Sequence, residues 1–369
     1  MATSIADRCF AEVSLDILAD NYRILKKKAG PKAEVMAVVK ANAYGHGSVK
    51  VAGMLESIGA KHFGVASLDE AINLRNAGIG GEILVFGPIR SEDFLLALDN
   101  DITPTVSSFR QARSYSLLAG EKDFNVHVNL DTGMSRMGLP CRIDSEAKEA
   151  LNTTLDISGL PNCVIRGIYT HFAVAEDDEK FTRRQFSLFK EVTDGLKEKG
   201  LDIPLKHCCN SAATILYDEM HLDMVRCGIA LYGLPPVGTD LELRPALALK
   251  ARIVRLEKLE KGMSVSYGRH FKAEKEMEVG TLAIGYADGL PRILSGNASV
   301  LYKGRKCPVL GTICMDLTMF DATGCDAKEG DEVELFGSIV TASDIGKSIK
   351  TISYEILTNL SERVERIYI

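Results

Sequence analysis

The first two-thirds of the chain repeats one unit, a short run of consecutive apolar residues followed by a stretch with helical periodicity. Strands without apolar–polar alternation are buried on both faces, as parallel strands flanked by helices are. About eight such units fit a TIM-like (β/α)8 barrel of the α/β class, here over residues 11–245. A doubly wound sheet is the alternative, but no GxGxxG motif opens a first helix. The strand candidates are residues 34–39, 62–66, 82–86, 124–130, 164–169, 204–209 and 224–225, and two clear helix candidates are residues 68–77 and 181–199.

After about residue 245 the pattern changes. Residues 251–256 alternate partly, residues 331–336 alternate cleanly, and residues 277–284 and 299–302 also read as strands. Glycines interrupt these runs at short intervals. We therefore expect a mainly antiparallel β domain over residues 246–369, joined by residues 1–10.

Composition narrows the function classes. Hydrophobic residues make up 46% of the chain and charged residues 25%, as in an ordinary globular enzyme. The net charge of −6 argues against nucleic-acid binding. The chain has no apolar run of about 18 residues and no basic–apolar leader, so we expect no membrane span and a cytoplasmic location. Nine cysteines without a CxxC pair predict neither a metal site nor a redox pair.

Lys40 directly follows the first predicted barrel strand. The carboxyl ends of barrel strands face the mouth where such enzymes place their sites. An amine desolvated there has a lowered pKa, the condition for forming a Schiff base with a carbonyl. A single lysine after a strand is a weak signal, and chance placement is the more frequent explanation.

The segment around Lys40, AVVKANAYGHG, resembles the signature of the alanine racemase family, in which this lysine carries pyridoxal phosphate. Further segments resemble the family in the same order along the chain. The resemblance implies a fold-type-III isomerase that interconverts L- and D-alanine and supplies D-alanine for bacterial peptidoglycan. The matching segments are HVNLDTGMSRMG (127–138), RGIYTHFA (166–173), HCCNSAA (207–213), MVRCGIALYGL (224–234), VSYG (265–268), GYADGL (285–290), CMD (314–316) and ISYEIL (352–357).

The family's two acid–bases correspond to Lys40, which takes the α-proton of the D-isomer, and Tyr267, which takes that of the L-isomer. Racemisation needs such a pair because the proton leaves one face of the α-carbon and returns to the other. Ordinary pKa values of about 10.4 and 10 must both be lowered, by desolvation for Lys40 and by a nearby cation for Tyr267. In the family this tyrosine reaches the cofactor of the other subunit, which implies a head-to-tail homodimer.

The resemblance also assigns the residues that hold the cofactor. Arg226 would meet the pyridine nitrogen, and His171 would stack on the ring and contact Arg226. Since a guanidinium only donates, the ring nitrogen would stay unprotonated. Two phosphate ligands follow the predicted strands seven and eight, where barrels frequently bind phosphate, and this agreement does not depend on the resemblance. The phosphate ligands would be Tyr44, Tyr354, Ser211 and the backbone amides of Gly228 and Ile229, with Asn210 and His207 supporting them.

The substrate carboxylate would be bound by Arg136 and by the partner subunit's backbone amide at the Met315 position, with Asp316 beside it. Tyr286 and Tyr354 would narrow the entrance, which favours a methyl side chain. Among the positions that depart from the family, Asn129 stands where many members have a carbamylated lysine. We expect a bound anion such as chloride, or Asn129 itself, to orient Arg136 instead.

Three rival interpretations remain at this point. A racemase of the same family with broad or serine preference fits the same motifs. A decarboxylase of the ornithine type would place a carboxylate at the pyridine nitrogen, where this chain offers Arg226. A non-catalytic cofactor-binding protein of the barrel-only type leaves residues 246–369 unexplained.

Overall fold

The computed structural model describes residues 8–369, which form two compact units. The barrel unit contains Leu18–Ala43 and Ser48–Leu243. The C-terminal unit contains Arg244–Ile369 together with residues 8–17 and Tyr44–Gly47. Of the first ten residues, which the sequence assigns to the second domain, residues 1–7 lie outside the described residues.

Eight parallel strands form the nearly closed barrel that the sequence predicts. After β1 (Cys9–Val13), which belongs to the C-terminal unit, the strands are β2 (Glu34–Val38), β3 (His62–Val65), β4 (Glu82–Val85), β5 (Ile102–Val106), β6 (Phe124–Asp131), β7 (Leu139–Pro140), β8 (Cys163–Tyr169), β9 (Leu205–His207) and β10 (Met224–Cys227). The barrel strands pair in the order β10-β2-β3-β4-β5-β6-β8-β9, and the two-residue strand β7 pairs with β6. Across the remaining gap, the amide of Arg226 donates to the carbonyl of Cys209 at 3.0 Å.

Two sequence-based strand assignments need correction. The sequence did not predict β5, although all five of its residues are buried. The segment 204–209 is a strand only over Leu205–His207, because the chain then turns towards the next helix. With β5 included, β9 and β10 are strands seven and eight, as predicted.

Helices connect the strands and bury one face each. The longest, Glu179–Glu198, begins where the Asp178 side chain accepts the Phe181 amide hydrogen at 2.9 Å, and it buries Leu188, Phe189 and Val192. Such a cap satisfies an amide that has no partner inside the helix. The helices up to residue 243 are Leu15–Ala29, Ser48–Ser57, Leu68–Asn76, Phe94–Asp99, Phe109–Ala119, Asp144–Ser158, Glu179–Glu198 and Ser211–Leu216.

The C-terminal unit is mainly antiparallel, as expected. Its elements are β11 (Leu247–Leu259), β12 (Ser264–Val265), β13 (Phe271–Lys272), β14 (Met277–Leu282), β15 (Ser299–Tyr302), β16 (Arg305–Leu310), β17 (Thr318–Asp321), β18 (Glu332–Phe336), β19 (Glu365–Tyr368) and the helices Ala342–Ser348 and Ser353–Thr358. The strands of the large sheet pair in the order β14-β17-β16-β15-β18-β11-β1-β19, and β11 also pairs with β14, which closes six strands into a ring. Only the β1–β19 pair in that sheet is parallel.

Among residues 8–369, no helix has the length and apolarity required to cross a membrane. The same residues contain no group of three or more His, Cys, Asp or Glu side chains arranged to hold a metal ion.

Candidate active site

Lys40 stands at the carboxyl end of the first barrel strand, separated by Val39 from the last strand residue, Val38. Burial lowers the pKa of its amine below the ordinary lysine value. The positive charge of Arg136 lowers this pKa further, the carboxylate of Glu70 raises it, and Arg226 again lowers it. A lysine with a lowered pKa is more often unprotonated near neutral pH, which a nucleophile or base requires.

Arg226 lies buried in β10 with its guanidinium held by four hydrogen bonds. Nη1 donates to Nδ1 of His207 at 2.9 Å, and Nη2 donates to Nδ1 of His171 at 3.2 Å. Nη2 also donates to the carbonyls of Thr170 at 2.8 Å and Cys208 at 3.1 Å, so its two hydrogens are shared among three acceptors. All four bonds use the terminal nitrogens, so no acceptor within residues 8–369 takes the Nε hydrogen, which remains for a ligand.

A chain of buried imidazoles supports Arg226. Because a guanidinium only donates, Nδ1 of His207 accepts, and its Nε2 then donates to Nδ1 of His127 at 3.0 Å. Nε2 of His127 in turn donates to Oε1 of Glu82 at 3.0 Å, and Oε2 of Glu82 lies 3.1 Å from Nδ1 of His62. Burial and the charge of Arg226 hold the pKa of His207 well below its usual value, so this ring stays neutral.

Hydroxyl and amide groups converge after strands β9 and β10. The Ser211 hydroxyl oxygen accepts the backbone hydrogens of Gly228 at 3.0 Å and Ala230 at 3.3 Å. Ile229 lies between these two residues in the chain. Asn210 caps the helix that Ser211 begins, because its side chain accepts a helix amide hydrogen at 2.9 Å.

Arg136 lies on a loop whose shape Asp131 and Gly138 determine. The Asp131 carboxylate accepts two backbone hydrogens of the loop, at 3.1 and 2.8 Å. Gly138 has a φ of 127°, and a Cβ there would come within 2.7 Å of the Asp131 nitrogen. The Asn129 amide donates to the carbonyl of Met137 at 2.9 Å. Arg136 itself is exposed, and no carboxylate in the described part of the chain pairs with it.

Tyr44 and Tyr354 lie together in the C-terminal unit. Their ring centroids are 5.9 Å apart, with the planes tilted by 55°. Burial, and to a lesser degree Tyr354, raises the pKa of the Tyr44 hydroxyl, which therefore stays neutral and able to donate. Arg366 donates from Nε to the carbonyl of Gly45 at 3.0 Å and so fixes the segment that carries Tyr44.

Tyr267, Met315 and Tyr286 lie at the surface of the C-terminal unit. Their exposed fractions in the single chain are 71%, 53% and 41%. Tyr267 begins a short turn after β12, and the Thr312 hydroxyl donates to its carbonyl at 3.0 Å. One open surface pocket is lined by Tyr267, Cys314 and Met315, among others. Water therefore reaches the Tyr267 phenol in the single chain.

A buried carboxylate anchors this surface. Asp288 is fully buried, accepts the Gly285 amide hydrogen at 2.9 Å, and pairs with Arg8 at 3.3 Å and Arg363 at 3.2 Å. Arg363 also pairs with the Asp316 carboxylate at 2.7 Å. Asp316, which the sequence groups with the substrate-binding residues, therefore neutralises an arginine and fastens the loop that carries Met315.

Within the barrel unit, Lys40, Arg136, His171 and Arg226 interact electrostatically, as their mutual effects on pKa show. Ser211 and Gly228 contact each other there, whereas the predicted tyrosines and Met315 belong to the C-terminal unit. Sequence reasoning missed several supporting residues. Asp131 and Asp288 lie inside segments that resemble the family, so the sequence could have pointed to them. No comparable sequence pattern marks the other supporting residues, Glu70, Glu82, Arg8 and Arg363.

Comparison with known proteins identifies relatives of the whole chain. The family models described as alanine racemase, N-terminal domain, and alanine racemase, C-terminal domain, match residues 13–236 and 246–368. An alanine racemase of Methanococcus maripaludis is 42% identical over 98% of this chain and 98% of that protein. One of Clostridium perfringens is 42% identical over 97% of this chain and 95% of its own length.

Solved structures agree with this likeness. An alanine racemase of Clostridium difficile has a TM-score of 0.94 at 38% identity and covers 99% of this chain and 97% of its own. One from Bacillus anthracis with bound L-Ala-P has a TM-score of 0.91 at 36% identity over 98% and 95%. One from Bartonella henselae with covalently bound pyridoxal phosphate has a TM-score of 0.88 at 31% identity over 98% and 99%.

Proposed function

The chain belongs to the alanine racemase family, and on this premise we propose that it interconverts L- and D-alanine with pyridoxal 5′-phosphate, using Lys40 and Tyr267 as its two acid–bases. It is an isomerase with the fold of that family. The observation that carries the assignment is Lys40 at the carboxyl end of β2, with a desolvated amine flanked by the charges of Arg136 and Arg226.

The donor groups of the barrel unit fit pyridoxal phosphate. Lys40 offers a partly deprotonated amine for covalent attachment, and Arg226 offers its Nε hydrogen to a neutral ring nitrogen. The Ser211 hydroxyl, which keeps its own hydrogen, and the Ile229 amide would supply uncharged donors suited to a phosphate, and the Gly228 amide, which donates to Ser211 here, would join them by leaving that oxygen. When bound, the cofactor would withdraw electrons from the substrate's α-carbon and so acidify its hydrogen. The Bartonella henselae relative, which holds this group covalently, supports the same attachment here.

Three further side chains complete the proposed cofactor set. His171 would stack on the ring, and its contact with Arg226 at 3.2 Å fixes the imidazole for that task. Tyr44 and Tyr354 would donate their hydroxyls to the phosphate. The lasting protonation of Arg226 distinguishes this chain from a decarboxylase of the ornithine type, which needs a carboxylate at that position. The match of both family models likewise excludes the barrel-only interpretation.

We propose a homodimer in which each C-terminal unit supplies Tyr267 and Met315 to the cofactor site of the other subunit. The exposure of both side chains in the single chain supports this arrangement, because a partner would exclude the water that now reaches them. Lys40 would hold the proton on one face of the substrate and Tyr267 on the other. Tyr286 would narrow the entrance beside Tyr354.

Arg136 would bind the substrate carboxylate together with the backbone amide of the partner subunit's Met315. The exposed, carboxylate-free guanidinium of Arg136 supports this role. The hydrogen bond from Asn129 to Met137 supports the version in which Asn129 itself orients the loop. The anion version predicts that removing chloride raises KM. Unchanged kinetics without chloride would leave Asn129 as the orienting group.

In a bacterial cell, the proposed reaction would take place in the cytoplasm and supply D-alanine for peptidoglycan. The test is to follow the optical rotation of L-alanine and the release of CO2 in parallel. We expect the rotation to decay to zero without CO2. Serine and other small amino acids are assayed beside alanine, and faster racemisation of serine would overturn the substrate assignment but not the reaction class.

A further inference from the structure

The chain directly after Lys40 adopts a left-handed turn. Ala41, Asn42 and Ala43 have φ values of 51–53° with ψ values of 47–51°, and Tyr44 has a φ of 52°. The backbone of any residue that carries a Cβ is strained in the left-handed conformation, and consecutive residues rarely adopt it. Such strain persists only where surrounding contacts hold it, and it often marks a functional position.

The turn is held at the Lys40 end by the carboxylate of Glu70. Oε1 of Glu70 accepts the Ala41 amide hydrogen at 2.7 Å, and Oε2 accepts the Ala66 amide hydrogen at 2.7 Å. Glu70 lies in the first turn of the helix Leu68–Asn76, which Ser67 caps. One carboxylate therefore links the ends of the neighbouring strands β2 and β3.

The far end of the turn has its own support. The side-chain oxygen of Asn42 accepts the Ser48 amide hydrogen at 2.8 Å, and the Ala43 amide donates to the carbonyl of Val39 at 2.9 Å. Neither bond reaches the peptide that joins Lys40 to Ala41. The amide hydrogen of that peptide is instead bound by the Glu70 carboxylate.

We propose that Glu70 is a positioning residue that fixes the backbone after Lys40 and thereby aims the amine at the substrate face where it exchanges a proton. This inference rests on the proposed role of Lys40. Glu70 also bears the negative charge that partly offsets Arg136 and Arg226 at Lys40. Removing the Glu70 carboxylate therefore has two separable effects: the Lys40 amine is no longer aimed at the substrate, and the charge around this amine becomes more positive.

Glu56 offers a matched control on the same barrel unit. Its Oε1 accepts two backbone hydrogens, from Gly80 at 2.9 Å and Gly81 at 2.7 Å, but Glu56 is not among the charges that shift the pKa of Lys40. Glu70→Ala and Glu56→Ala each remove a carboxylate that holds two amides. Glu70→Gln keeps the shape and one oxygen, so it provides a milder variant if Glu70→Ala does not fold.

The kinetic test compares the two directions of the reaction with α-deuterated alanine. In Glu70→Gln we expect kcat to fall by about tenfold to a hundredfold, the scale of small misplacements of reacting groups. The deuterium isotope effect should rise for D-alanine, whose proton Lys40 takes, but not for L-alanine. Loss of the negative charge lowers the Lys40 pKa further, so the rising limb of the pH profile with D-alanine should move to lower pH. Glu56→Ala should change neither property.

A second readout does not depend on activity. Deuterium exchange of the backbone segment 39–44 should quicken in both Glu70 variants and stay unchanged in Glu56→Ala. Equal isotope effects in both directions, or the same behaviour in the Glu70 and Glu56 variants, would overturn the positioning role. If the wild-type protein itself racemised no alanine, the proposed function would fail, and the two failures are thus distinguishable.

Discussion

Replacing Asp288 by asparagine removes the charge from a fully buried group while keeping its shape. In the native chain this carboxylate accepts the Gly285 amide hydrogen and faces Arg8 and Arg363 at 3.3 and 3.2 Å. The asparagine oxygen can still accept from Gly285. Its amide group, however, presents hydrogens to an arginine, and one charge-assisted bond becomes a repulsive contact.

The size of the effect follows from burial. Breaking a fully buried ion pair costs about 3–5 kcal/mol. The two arginine side chains are 39% and 43% exposed, so water can rehydrate them and reduce that cost. We therefore expect Asp288→Asn to lower the free energy of unfolding by about 2 kcal/mol, which is about thirtyfold in the equilibrium constant.

The assay is urea unfolding at fixed protein concentration, because the stability of the proposed dimer would depend on concentration. Asp316→Asn is the matched control, since Asp316 contacts the same Arg363 at 2.7 Å but is 52% exposed. Exposed ion pairs contribute little to the free energy of unfolding, so Asp316→Asn should keep the urea midpoint of the wild type. Equal losses in the two variants would refute the argument that burial, not pairing, sets the magnitude.

Three further outcomes are expected. Burial raises the pKa of Glu82, but hydrogen bonds from His127 and His62 outweigh it and hold this pKa well below its usual range. The carboxylate therefore stabilises the fold above the ordinary pKa of about 4.3, and that stability is lost as the pH falls towards the lowered value. Urea midpoints of Glu82→Gln should accordingly lie below those of the wild type at pH 7 and converge with them in acid; a constant difference would contradict this. Arg226→Lys keeps the charge but loses the planar set of donors, so the free energy of unfolding should fall by about 3 kcal/mol. An unchanged urea midpoint would show that the four hydrogen bonds do not stabilise the fold. Gly285→Ala would place a Cβ within 2.3–2.4 Å of two carbonyl oxygens of the Met315 loop, so KM for alanine should rise about tenfold in steady-state assays.

The barrel was predictable because its strands are short apolar runs with no alternation. Strand β5, Ile102–Val106, escaped because Pro104 and two threonines interrupt the apolar character, and proline usually argues against a central strand. Its burial on both faces comes from neighbours that the sequence pattern does not show. Likewise, the pairing of β11 with β14 that closes the C-terminal ring depends on the register between distant strands.

The candidate site was predictable where residues stand in recognisable segments, as Lys40 and Arg226 do. The supporting groups were not, because each acts on a residue far away in the chain. Glu70 binds an amide 29 positions earlier, and Glu82 meets an imidazole 45 positions later. No local pattern encodes such a contact, which exists only after the barrel brings its strand ends together.

In the proposed mechanism two different side chains serve the two faces of the α-carbon, and Tyr267→Phe assayed in deuterated water separates their contributions. With D-alanine, Lys40 should still exchange the α-hydrogen for deuterium, while formation of L-alanine becomes slower than that exchange by orders of magnitude. Interconversion of both enantiomers at the wild-type rate in this variant would contradict the account.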